Sequence, residues 1–224
     1  MTLLRQIGAM LWKELLTEWR MRSRISGIFW FSLALVLMVA FANPASHTLR
    51  EIAGGTLWVA ILLASTRSLD QSYAVEHEHG AMEGLLLWPV DPIAIYYGKA
   101  LANTLVLLLV SAAVLPALLA IFDPPLKGSM LQLAAIVVLG CAAIAAPGTL
   151  LGLITSQARG SSVMLPLLMF PLVVPALLAS SSATSRVFEG DPMNQAPSWI
   201  YLLVAFNAVH WSISALLYGR IFED

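Results

Sequence analysis

Charge is scarce in this 224-residue chain: 11% of residues are Asp, Glu, Lys or Arg, against 59% that are hydrophobic. A soluble domain carries roughly 25% charged and about 45–50% apolar residues, so the deficit points to lipid as the solvent. Cysteine is scarcer still. The single Cys141 sits in an apolar run, which excludes a disulfide framework, a CxxC pair and a CxxCH haem-attachment motif. Lysine occurs only at 13, 99 and 127, and none closes a GxxxxGK[ST] loop, so the chain has no phosphate-cradling P-loop of its own. The net charge of −1 lacks the basic footprint of a nucleic-acid binder. The hydroxyl-rich Ser180–Ser185 stretch has no histidine or lysine near it in sequence, and no catalytic constellation emerges.

What is present is a set of long uncharged stretches. No Asp, Glu, Lys or Arg occurs over 25–49, 52–66, 100–122, 128–158, 160–185 or 192–219. A charge at the centre of a membrane helix costs roughly 2.5–3.5 kcal/mol, and ~20 residues of helix cross the ~30 Å of hydrocarbon. Backbone in lipid must satisfy its own hydrogen bonds, so the runs are predicted to be helices. Six spans are expected, at about 25–42, 50–69, 99–122, 129–155, 162–183 and 198–219. Of the twelve basic residues, Arg5, Lys13, Arg20, Arg22, Arg24, Arg67, Lys99, Arg159 and Arg220 fall on one side of this arrangement, and only Arg50, Lys127 and Arg186 on the other. The positive-inside rule then puts both termini in the cytoplasm of a multi-pass inner-membrane protein.

Before the first span, residues 1–24 hold Leu4, Ile7, Leu11, Leu15 and Trp19 at helical spacing, with Trp12 beside them. Arg5, Lys13, Glu14, Glu18 and Arg20 occupy the remaining positions. This reads as an amphipathic helix lying in the headgroup region, in contact with membrane lipids. Packing on the cytoplasmic ends of the bundle is the alternative. Arg20–Arg24, the apolar run and Ala40-Phe41-Ala42 loosely match a cleavable signal peptide, but the long leading segment with Glu14 and Glu18 is atypical of one.

The densest charge lies between spans two and three, where YAVEHEHGAMEGLLLWPVD occupies 73–91. Helical periodicity over 71–87 places Val75, Met82, Leu85 and Leu86 on one face, and Glu76, His79 and Glu83 together on another. Trp88-Pro89 ends that helix, because the residue before proline is pushed out of the α region. Asp91-Pro92 begins the return, and Tyr96, Tyr97 and Lys99 mark re-entry into the membrane. HEHG is not the HExxH pattern of a zinc site, so no metal centre is assigned. A solvated loop helix and a docking surface for a cytoplasmic partner both fit the residues.

The run EHEHGAMEGLLLWPVDPIAIYYGKAL resembles the E-x-G-x-x-E-x-L-x-x-x-P pattern, followed by Tyr-x-Gly-Lys, of type-2 ABC exporter membrane subunits. Further matches are Gly55-Thr56-Leu57-Trp58-Val59-Ala60, Ala146-Pro147-Gly148, Ala158-Arg159-Gly160, Leu165-Pro166-Leu167-Leu168 and Pro171-Leu172-Val173-Val174-Pro175. Together they resemble the haem exporter protein B family of the bacterial cytochrome c maturation system, over roughly residues 5–219. The resemblance implies a coupling helix that docks on a separate ABC ATP-binding subunit, where ATP is bound and hydrolysed. Glu78, Gly80, Glu83, Leu85, Leu86 and Pro89 sit on the family pattern. Glu76, acidic by its own chemistry, and Met82, on the apolar face with Leu85 and Leu86, are added to the expected partner-binding set without being motif positions. The family also implies a second copy of the chain, a haem-handling membrane subunit, a small single-span subunit and a periplasmic haem chaperone. Haem is then a substrate of the complex.

The expected fold is an all-α membrane protein: six transmembrane helices, an N-terminal interfacial helix and a cytoplasmic coupling helix between spans two and three. The spans are expected to lack buried ion pairs, which disfavours ion-coupled transport. Asn207, His210 and Ser214 form a polar cluster in span six, at i, i+3 and i+7. His210 is expected to make an interhelical hydrogen bond, to a group such as Asn103 or Thr104, with substrate contact as the alternative. His47, in the first external loop, is a weaker candidate. Pro166, Pro171 and Pro175 predict a kink or local unwinding in span five and a possible hinge. Gly148 and Gly152 form a GxxxG that fits either a dimer seam or close packing within one subunit. A permease for another substrate, such as a lipid or polysaccharide, and a non-transporting assembly scaffold are the competing functions.

Overall fold

In lipid, helix is the one open-ended structure that satisfies its own backbone, and each apolar run folds that way. The computed structural model describes residues 2–20, 22–43, 45–78, 91–156 and 161–221, with the side chains at 22–24, 71, 72, 74–78, 161 and 162 outside that description. Seven helices, and no strand, occur among the described residues: α1 Leu3–Arg20, α2 Arg22–Ala42, α3 Ser46–Glu78, α4 Pro92–Phe122, α5 Met130–Ser156, α6 Ser161–Glu189 and α7 Ala196–Ile221. Helices α2 to α7 supply six segments long and apolar enough to cross a bilayer.

Charge marks where the hydrocarbon ends, but helices continue past it. α3 runs 33 residues to Glu78, so the segment expected to start a separate helix at 71 begins as an extension of span two. Nothing from Ser65 to Glu78 is glycine or proline, and no residue there interrupts the ladder. α4 starts at Pro92 instead of Lys99. Asp91 caps it, its side chain accepting the Ile93 amide at 2.9 Å, and Pro92 fills the first turn where an amide is not needed. At ~1.5 Å per residue, α3 and α4 are ~50 and ~46 Å long, well beyond ~30 Å of hydrocarbon. Both project at the same end of the bundle. At the other end the Arg50 guanidinium pairs with Asp123, and the Gly128 amide donates to the Val187 carbonyl at 2.8 Å.

α5 is the most enclosed span, packed against α3, α4, α6 and α7, while α2 and α7 are the least buried within the chain. Small residues make this possible. A Cβ at Gly140 would lie 2.0 Å from Cη2 of the buried Trp58, one at Gly148 2.5 Å from Cδ1 of Leu69, and one at Gly152 2.6 Å from Cε2 of Tyr73. The GxxxG face is therefore filled by α3 of the same chain and is not free to be a dimer seam. The Trp58 indole donates to Thr184 Oγ1 at 2.9 Å, and Ser185 and Ser181 pack over Gly54 and Gly55. The hydroxyls of Ser181, Thr184 and Ser185 thus lie along the seam between α3 and α6, and that of Ser180 faces Gly140 of α5.

α6 remains one helix from Ser161 to Glu189 through Pro166, Pro171 and Pro175, so of the expected kink or local unwinding the second does not occur. Its inward stripe is Leu165, Met169, Val173 and Ala176, whereas Pro171 and Pro175 face outward. α1 buries Met10 and Glu14 against α4 and leaves Leu4, Trp12 and Trp19 exposed. It is packed on the bundle by one face and presents apolar side chains on another.

Candidate functional site: the roots of the α3–α4 connection

Among the sequence candidates, His79, Gly80, Met82, Glu83, Leu85, Leu86 and Pro89 lie outside the described residues. Glu76 and Glu78 are placed only by backbone, in the last turns of α3. The two roots of this connection are Tyr73, near the end of α3, and the first turns of α4.

On α3, Tyr73 is almost wholly buried, its ring over Gly152 and its hydroxyl donating to the Thr149 carbonyl at 2.6 Å. On α4, Tyr96 is also buried and donates to the Ala146 carbonyl at 3.2 Å. Asn103 Nδ2 donates to Thr149 Oγ1 at 3.0 Å, and that hydroxyl donates to the Ala145 carbonyl at 2.8 Å. All three contacts converge on the Ala145–Thr149 turn of α5, around Pro147. The roots are therefore bonded to one central helix. Buried bonds of this kind contribute about 1 kcal/mol each, and more is lost when one partner is left unsatisfied.

Lys99 is 1% exposed, and its Nζ lies 3.2 Å from Oε1 of Glu14 on α1 and 4.9 Å from the centroid of the Tyr73 ring. Lys13 Nζ approaches the same carboxylate oxygen at 3.1 Å. This corrects the expectation of spans without a buried ion pair. The acid comes from α1, outside the spans, and no scan of the apolar runs pairs it with Lys99. The sequence pattern sets Glu14 apart from the apolar positions of α1, whereas the structure buries it. The clue in the sequence is that it follows Met10 at i+4, on the same stripe.

The polar cluster of α7 is assembled differently from expectation. His210 Nδ1 donates within its own helix to the Phe206 carbonyl at 3.0 Å, and its ring stacks on Phe206 at 3.8 Å. Asn103 is engaged with Thr149, so the predicted His210–Asn103 contact is not formed. Asn207 makes the interhelical bond instead: Nδ2 donates to the Leu139 carbonyl of α5 at 3.0 Å, and Oδ1 accepts from Trp211 Nε1 at 3.1 Å. Ser214 is buried next to Tyr96. Trp211 stacks on Tyr97 at 5.9 Å, and Tyr218 lies 5.5 Å from Tyr96, extending the roots with an aromatic layer. His47 is exposed, beside Glu51 at 3.5 Å.

Comparison with known proteins supplies the family. A family model described as CcmB protein matches residues 5–220. The chain is similar to Heme exporter protein B of Rhodobacter capsulatus, at 34% identity over 166 residues, 73% of this chain and 75% of that one. It is 34% identical over 188 residues to the protein of that name from Paracoccus denitrificans, covering 80% and 84% of the two chains. With the Pseudomonas aeruginosa protein it shares 26% over 178 residues, 80% and 79%. The match extends from α1 to the end of α7, and the chain belongs to the CcmB protein family.

Proposed function

We propose that this chain is the membrane permease subunit of an ABC-type complex for cytochrome c maturation, in the bacterial inner membrane with both termini cytoplasmic. ATP is hydrolysed on a separate ATP-binding subunit. The present chain, as a pair, couples that hydrolysis to haem delivery or to release of a haem-loaded periplasmic chaperone. A haem-handling membrane subunit and a small single-span subunit complete the assembly. The haem assignment rests on the family. The coupling role rests on one observation: Tyr73 and Tyr96 bind the two roots of segment 79–90 to the same turn of α5. Rigid roots make that segment a lever, and a nucleotide shifts it only through contacts that differ between the two states of the ATPase.

Glu76, Glu78, Gly80, Met82, Glu83, Leu85, Leu86 and Pro89 are the proposed contact surface for the ATPase. Pro166, Pro171 and Pro175 make α6 the proposed hinge, since each removes a ladder bond. Asn207, His210 and Ser214 are assigned to helix packing, with Asn207 as the interhelical donor.

The test is Glu83→Lys in the whole complex. Mild-detergent purification of the unaltered chain is expected to recover an ATP-binding subunit and haem-handling proteins. The variant is expected to lose the ATP-binding subunit, and cells carrying it to lose c-type cytochromes. Recovery of an ATPase with normal c-type cytochromes after deletion of the chain would assign it to another substrate. Recovery of no ATPase at all would make it a scaffold.

A further inference from the structure

Keeping an ion pair inside a membrane bundle is costly, because both ions give up their hydration and only good geometry with further partners offsets the loss. Glu14 and Lys99 have such partners in Lys13 and the Tyr73 ring. Yet apolar packing alone already holds α1 to α4 next door: Met10 Cβ lies where a Cβ at Gly98 would meet it at 2.5 Å. An apolar pair in place of the ions would serve adhesion equally well or better. What the charges add is a defined register among three elements. Lys99 lies about two turns into α4, Tyr73 lies between one and two turns before the described end of α3, and Glu14 lies on α1. The first two are the roots of segment 79–90. The third belongs to a helix that leads directly into α2.

We propose that Glu14, Lys99 and Tyr73 are positioning residues for coupling: a clamp that makes α1 a third strut of the unit carrying segment 79–90. Displacement of that segment then reaches α1, and through it α2, as well as α3 and α4. The inference rests on the coupling function proposed above and assigns it three residues outside the contact surface.

The experiment uses Glu14→Gln, Lys99→Met and the double variant in the full complex in native membranes. Chain level, co-purified ATP-binding subunit, ATP hydrolysis and c-type cytochrome are measured together. Each single variant removes one charge of the pair, leaves the other in the buried site without that partner and lowers the amount of chain. The double variant removes both charges, and its chain level and ATPase recovery return close to those of the unaltered complex. Its c-type cytochrome output nevertheless stays roughly tenfold or more below normal, within the range of coupling effects. Output that recovers in full with chain level overturns the proposal and leaves the pair a packing feature. If the unaltered chain brings down no ATPase, the proposed function has failed instead, and the clamp is judged on the purified chain. The thermal midpoint must fall in each single variant and recover in the double; additive losses overturn the clamp itself.

Discussion

Gly140 and Tyr73 show how much one atom decides in this bundle. Trp58 occupies the space that a side chain at 140 would need, so Gly140→Ala forces either the indole or α5 to move. Overpacking of this kind costs typically 1–3 kcal/mol, and a clear drop in the thermal midpoint of the detergent-purified protein is the expected result. Tyr73→Phe keeps the ring over Gly152 and beside Lys99 but removes the bond to Thr149. A loss of about 1 kcal/mol is expected, smaller than that of Gly140→Ala in the same assay. Gly148 and Gly152 were legible in the sequence as a GxxxG face, whereas Gly140 carried no such pattern. The partners of all three were not legible, because Trp58, Leu69 and Tyr73 reach them only through the way α3 lies on α5.

At the scale of elements, α6 and α7 carry separate predictions. The start of α7 is held by Asp191, whose carboxylate accepts the Ala196 and Gln195 amides at 2.6 and 2.8 Å. Those bonds keep its carboxyl below the usual carboxylate range. The contribution is therefore complete above the unfolded value, near 3.9, and is lost as pH falls through the lower folded value. Protection of the first-turn amides of α7, taken relative to their intrinsic exchange rates, should fall on acidification below about pH 4, and Asp191→Ala should remove that dependence by lowering protection throughout. For α6, replacing Pro166, Pro171 and Pro175 together with alanine restores ladder bonds, each proline costing a helix interior ~3 kcal/mol. The expected outcome is a higher thermal midpoint together with lower c-type cytochrome output. Unchanged output would remove the hinge while leaving the packing account of α6 intact.

At the scale of the whole molecule, the ends of the bundle can be told apart chemically. Arg50, Asp123, Lys127 and Gly190 lie at one end, and Glu14, Lys99 and Gly219 at the other, where Gly219 packs near Ile93 of α4. The native Cys141 is buried, so introduced cysteines report cleanly. In intact spheroplasts an impermeant maleimide should label Met193→Cys at once and Thr2→Cys only after permeabilisation. The reverse pattern would put segment 79–90 on the outer face and end its proposed role with an ATPase.

The sequence by itself determined the solvent, the number of spans and their approximate limits. A charge in hydrocarbon costs enough that every uncharged run of helical length is a crossing. Asp91-Pro92 marked the return towards the membrane, but counting charges set the start of the helix at Lys99, seven residues late. Only the tertiary structure decided that α3 continues past span two to at least Glu78, which helix fills the GxxxG face, that Asn207 and not His210 bridges to α5, and that Glu14 pairs with Lys99. Each of these depends on which faces of distant helices meet. In a bilayer that choice is made by close packing and by the matching of a few polar groups, neither of which leaves a periodic mark along the chain.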